Sequence, residues 1–289
     1  MQGNTNTKTV PSPARLTRKL LRILLPAAFI LIFFAWILIP MAYTVLWSVT
    51  DPKAGWAYPN ALPLGYSLDT WEYVFKFVKI WDPIKNSLLI ALATTAVAFL
   101  FSLPAAYALG RLDLKGKSLI KNLILLPMIL PGMAMAIYVG RVINRMGLSG
   151  TYAGVILAHC LGGIPYMLRV LIVGFEVVPQ DILDAAANLG GGPGVRFREV
   201  YLPMIAPSVV SGGIFTFINS MEEFTMTFII GLPTIKTIPT VLFSFLGESY
   251  SATRGAVVTL ILLVPNLILL MIVEKCIKTE YMGAALGKM

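Results

Sequence analysis

The chain has 289 residues, 57% of them hydrophobic and 13% charged, with a net charge of +9. Soluble domains carry roughly 25% charged residues, so a single soluble core is excluded and the blocks of apolar residues point to a membrane protein. The basic residues flank those blocks instead of forming one patch, which argues against nucleic acid as a partner and for topology signals.

Residues 1–14 are polar, contain two prolines and are expected to be a disordered stretch within a tail over 1–20. A spanning helix needs about 20 mostly apolar residues. Such runs occur at 23–47, 86–110, 122–140, 146–168, 204–221 (continuing past two acids to 235) and 255–273, giving an all-α protein of six spans within 21–275 and a tail over 276–289. The first run is too long for a signal-peptide core and no clear cleavage site follows it, so it is expected to stay in the protein.

An even number of spans puts both termini on one side. With that side inside, the cytoplasmic segments hold Lys8, Arg15, Arg18, Lys19, Arg22, Arg111, Lys115, Lys117, Lys121, Arg196, Arg198, Lys275, Lys278 and Lys288. The opposite side holds the smaller set Lys53, Lys76, Lys79, Lys85, Arg141, Arg145, Lys236 and Arg254. The bias favours both termini in the cytoplasm. Residues 48–85 then form the longest outside loop, and SLDTWEYVFKFV within it reads as a short interfacial helix carrying Trp71, Tyr73, Phe75 and Phe77. Pro104, Pro127, Pro131, Gly132, Gly162, Gly163 and Pro165 lie inside the apolar runs. Backbone groups freed by proline need neighbouring helices or a wet cavity, so the set suggests a bundle with an internal pathway.

Several signals lead nowhere chemical. LGRLDLKGKS at 109–118 approaches a phosphate-binding loop, but five residues instead of four separate Gly110 from Gly116-Lys117-Ser118 and a spanning helix, not a strand, precedes it. Ser211 with Gly212 and Gly213 is no nucleophile elbow. Cys160 and Cys276 make neither a disulfide framework nor a metal site. His159 is the only histidine and lies in the fourth span. It is either a functional intramembrane group or a neutral imidazole bridging helices. Glu222 and Glu223 interrupt the fifth span near its middle. They either line a translocation cavity, where a helix lets at most one of them aim squarely inward, or pair with a partner's Lys or Arg. No cofactor, metal site or catalytic constellation is expected.

The segment 179–206 is polar and sharply punctuated. Pro179, Asp181 and Asp184 supply helix-start chemistry, Ala185, Ala186 and Ala187 favour a helix with little bulk, and Gly190, Gly191 and Gly192 end it. PGVRFREVYLP follows as a second short amphipathic turn, with Val195, Phe197 and Val200 apolar, and Pro203 is placed to start the next span. Two short helices meeting at a glycine corner present a small-residue face of the kind that sits deep in another protein's groove.

The pattern Asp184-Ala185-Ala186, Gly190, Val200, Leu202-Pro203 resembles the cytoplasmic "EAA" signature of permease subunits of binding-protein-dependent ABC importers. Asp184 stands where that family usually has Glu, and Val200 where it often has Ile. LILLPMILPGMAMAIYVGRVINRMGLSGTYAGVILAH and FINSMEEFTMTFIIG resemble the subgroup that carries spermidine and putrescine. The resemblance implies a type I importer permease fold of six spans in a bacterial inner membrane. It also implies a coupling helix that docks on a cytoplasmic ATPase dimer, a second permease subunit, which we expect to be a different chain, and an extracytoplasmic substrate-binding protein. The chain itself would hydrolyse nothing. The expected cargo is a polyamine or similar amine, with Glu222, Glu223 and His159 along the pathway. Arg141 and Arg145 at the outer mouth favour the alternative of an anion such as an aminophosphonate or an opine-type acid. An ion-coupled secondary transporter is the rival from another class, but it needs no two-helix loop and more ionisable groups in its spans.

Overall fold

The computed structural model describes residues 13–57 and 59–286, with side chains for Arg22, 24–57 and 59–272. The expected tails lie in part outside the described residues, at 1–12 and 287–289. The helices are α1 (Pro13–Ser48), α2 (Asp69–Lys76), α3 (Trp81–Arg111), α4 (Lys117–Leu123), α5 (Leu126–Ile129), α6 (Gly132–Arg145), α7 (Tyr152–Glu176), α8 (Gln180–Asn188), α9 (Pro193–Arg196), α10 (Leu202–Glu222), α11 (Thr225–Ile230), α12 (Ile238–Phe243) and α13 (Ala252–Leu286). Wide π turns join α9 to α10 and follow α12. Among the described residues the only strand-like pairing is one isolated bridge between Thr50 and Tyr66.

Among the described residues, five helical runs are long and apolar enough to span a membrane, and a bent pair brings the number to six. The third span is that pair, broken within the apolar run expected over 122–140 and extending beyond it at both ends. α4 and α5 meet α6 at 99°, because Leu130 is extended before Pro131 and the chain restarts at Gly132. The fourth span begins at Tyr152 instead of residue 146. Gly147 and Gly150 both take φ of +71° in the preceding turn, and the Thr151 hydroxyl caps the helix by accepting the Gly154 N–H at 3.1 Å. It then runs past residue 168 to Glu176, since a helix ends at its caps and not where its apolar run ends. The fifth span stops at Glu222 instead of continuing to residue 235.

Packing follows small side chains. The buried face of α3 is Ser87, Ala91, Thr94, Ala98, Ser102 and Ala106, spaced three or four residues apart as one helical stripe demands. α7 lies along it. A Cβ on Gly163 would sit 2.9 Å from Thr216 Cγ2 of α10, so only glycine admits α10 so close to α7. The Thr216 hydroxyl donates to Gly212 O at 2.8 Å and also reaches Gly163 O at 3.3 Å, linking the two helices beside Pro165.

Three apolar clusters divide this core. One, around Phe175, Tyr201 and Ile205, closes the end of the bundle where α3 and α7 finish. Another, around Val74, Ile238 and Val257, closes the opposite end. The third, around Ile143, Val155 and Ile230, joins α6, α7 and α11. The expected helix in the long loop is α2. It buries Thr70 and Val74, and the Arg254 guanidinium sits 4.2 Å from the Tyr73 ring centre. It is therefore docked against the start of α13 as well as amphipathic.

Candidate functional site

Two places combine polarity with position. The first is the loop leaving α7. Extended Pro179 precedes α8, and Asp181 sits in its positively polarised first turn. Leu183 is buried against the bundle, Ala186 is half-buried, and Asp184, Ala185 and Ala187 are exposed. Gly190 closes the helix at φ +86°, its N–H bonding Ala187 O while the Gly191 N–H bonds Ala186 O, both at 2.9 Å. A left-handed residue here is what the glycine run predicted. Gly192 is extended and begins the next element instead of ending this one.

The second turn is not separate. Helical backbone runs from Pro193 to Glu222 as one span, widened by the π turn over Phe197–Tyr201, so Pro203 lies inside the run and does not start it. Val200 and Leu202 pack with Phe197 on the end cluster, while Val195 is exposed. The seven residues read from the sequence therefore divide: Val200 and Leu202 pack on the span, Ala186 is half-buried, and Asp184, Ala185, Gly190 and Pro203 are exposed. Leu189, which the reading passed over, is 90% exposed at the tip of α8. The signal that could have found it is a large apolar side chain placed directly before the turning glycine.

The second place is the break after α10. Glu222 and Glu223 lie at the helix end, not mid-span, because backbone ψ swings to 116° at Glu223. They part company there. Glu222 is exposed and accepts from Asn266 Nδ2 of α13 at 3.3 Å. Glu223 turns inward, accepts the backbone N–H of Met226 at 2.9 Å and of Thr227 at 3.2 Å, and so caps α11.

His159 lies beside it, 3% exposed. Its Nε2 is 2.8 Å from Thr227 Oγ1 and 3.3 Å from Glu223 Oε2, and its Nδ1 is 2.8 Å from Ser220 Oγ. A carboxylate accepts, so Nε2 carries a proton, and in the neutral imidazole Nδ1 then accepts from the Ser220 hydroxyl. The imidazole thus bridges α7, α10 and α11 and also lines a cavity. Ser220 and Thr227 are the partners that a one-dimensional reading had no means to find. Beside this network opens a cavity of about 260 Å³ lined by His159, Glu223, Asn219, Tyr166, Met128 and Met135. A larger cavity of about 520 Å³ lies at the end of the bundle opposite α8, with Lys79, Asp82, Asn86, Lys236 and Glu248 in its wall.

Comparison with known proteins fits this geometry. A family model described as "Binding-protein-dependent transport system inner membrane component" matches residues 98–275, which contain both places. The trehalose transport system permease protein of Mycobacterium tuberculosis is 26% identical over 220 residues, 74% of this chain and 80% of its own. The molybdenum transport system permease protein of Escherichia coli is 28% identical over 212 residues, 65% of this chain and 92% of its own. The spermidine/putrescine transport system permease protein of Haemophilus influenzae is 24% identical over 241 residues, 83% of this chain and 92% of its own. In fold, the chain resembles a bacterial ABC transporter involved in the import of the acidic polysaccharide alginate. The TM-score is 0.67 at 18% identity, over 93% of this chain and 99% of that one.

Proposed function

The chain belongs to the family of binding-protein-dependent transport system inner membrane components, and on that premise we propose how it works and what it carries. It forms half of a pore with a second permease, both termini in the cytoplasm, and α8 docks in a cleft of an ATPase dimer. ATP closes the dimer, the docked loops move together and the spans open outward to accept solute from a binding protein; hydrolysis reverses the movement. The single observation that carries this reading is α8. Its Ala185, Leu189 and Gly190 lie exposed at and before a left-handed turn, with none of the described residues covering them. The 520 Å³ cavity at the opposite end supplies a mixed-charge surface where a binding protein can rest.

The cargo is a small amine-bearing solute, a polyamine by preference. Similarity to the spermidine/putrescine permease over 83% of the chain supports it, as does the exposed carboxylate of Glu222. An anion is the second reading. Arg141, Arg145 and Arg169 are exposed, Glu223 is already engaged by His159 and two N–H groups, and a molybdenum permease is among the relatives. Uptake of labelled putrescine by cells holding the complete transport operon decides between them. Saturable uptake that falls in Glu222→Gln supports the amine. No putrescine or spermidine uptake in the wild type removes it.

A further inference from the structure

The basic residue that closes α3 does more than mark the cytoplasmic side. Arg111 is the last residue of α3, and its guanidinium meets three other elements. Nε donates to Tyr201 Oη of the π turn at 3.1 Å. Nη1 donates to the Val178 carbonyl at 3.0 Å and to the Phe175 carbonyl at 3.4 Å, where α7 ends. Nη2 donates to Gln180 Oε1, the first residue of α8, at 2.6 Å. Gln180 passes the connection on, its Nε2 donating to Asp184 Oδ1 at 2.9 Å.

The surroundings make these bonds effective. Phe175 is fully buried and Tyr201 7% exposed, and Tyr107 meets both edge-on at 5.6 Å and 5.4 Å. The guanidinium carbon lies 5.5 Å from the Tyr201 ring centre. The bonds to Tyr201, Phe175 and Val178 are part-buried beside this cluster and compete little with water, while those through Gln180 are exposed. The Phe175 carbonyl accepts the Val178 N–H at only 3.4 Å, and carbonyls at a helix C-terminus favour a cation. A topology signal needs only positive charge, which Lys115 and Lys117 already supply. Only a planar fork with five N–H groups reaches the ends of two spans, the π turn and the loop together.

We propose that Arg111 is a positioning residue that straps the loop 179–206 to the inner ends of α3 and α7. A displacement of α8 by its partner then passes to both spans as one movement. The proposal rests on the coupling reading of that loop, so its test needs a readout that does not. In a background with Cys160→Ala and Cys276→Ser, spin labels at Phe101→Cys on α3 and Asn188→Cys at the end of α8 report the distance between span and loop. The wild type gives one narrow distribution. Arg111→Lys keeps the charge and broadens it, and Gln180→Ala broadens it less. A distribution that stays narrow in both Arg111→Lys and Arg111→Ala overturns the strap, whatever the loop does.

The complete transporter, reconstituted with its ATPase, second permease and binding protein, supplies the functional arm. Arg111→Lys retains bound ATPase and hydrolysis, while solute moved per ATP falls about tenfold, the weight of one charge-assisted hydrogen bond. Broadened distances with an unchanged ratio of solute to ATP overturn the coupling role of Arg111. Normal uptake by Gly190→Val with ATPase bound overturns the loop reading instead, and the spin-label result then still decides whether the strap exists.

Discussion

The loop around α8 and the break around His159 are both polar interruptions in an apolar chain, yet they satisfy their polarity in opposite ways. In the break His159 and both acids find partners inside the chain. His159 engages Ser220, Thr227 and Glu223, and Glu223 also takes two backbone N–H groups. In the loop only one edge of α8 faces inward, at Leu183, while Asp184, Ala185 and Leu189 face out. The loop leaves Ala185 and Leu189 uncovered, while Asp184 bonds Gln180 one turn away on its own helix. A break in a membrane-spanning helix cannot leave its strong groups open, because lipid replaces no lost hydrogen bond.

This contrast is broken most severely at His159. His159→Ala removes three contacts among buried groups at roughly 1 kcal/mol each, about 3 kcal/mol in all, and leaves Glu223 without its imidazole. The melting temperature of the detergent-purified chain should fall clearly, and His159→Gln should recover part of the loss. An unchanged melting temperature would mean that the network does not hold the break.

Gly190→Val has the next effect, and of a different kind. At φ +86° a β-branched residue costs about 1–2 kcal/mol, all of it in an exposed turn. The spans should insert and melt nearly as before, whereas uptake and ATPase co-purification fall at least about tenfold, as when one well-packed contact is lost. If melting falls as much as uptake, the loop belongs to the fold and the comparison collapses.

The smallest effects separate the two acids. Glu223→Gln keeps the shape but weakens an anionic cap and its bond to His159, costing about 1 kcal/mol of stability. Glu222→Gln, at an exposed position, should change melting by less than about 0.5 kcal/mol and act on uptake of a cationic solute instead. Equal melting for the two variants would show that their environments do not differ as the hydrogen bonds imply.

What the sequence by itself determined was everything that repeats locally. Apolar runs named the spans, and alanines followed by glycines named α8 and its left-handed end, because helix propensity and glycine's freedom act on neighbours along the chain. Local signals also carried the family signature at Asp184, Ala185, Ala186 and Gly190. Tertiary structure decided the rest. The third span bends at Pro131 and the fifth stops at Glu222, where the Glu223 side chain takes the Met226 and Thr227 N–H groups of the next helix. His159 became a bridge only when Ser220 and Thr227, more than sixty residues away, closed on it. Arg111 looked like one more inside charge, and became a joint only when α7, α8 and the π turn converged on its five donors. Hydrogen-bond partners are chosen by proximity in space, and a one-dimensional pattern does not encode which acceptors the folded bundle will bring to a given donor.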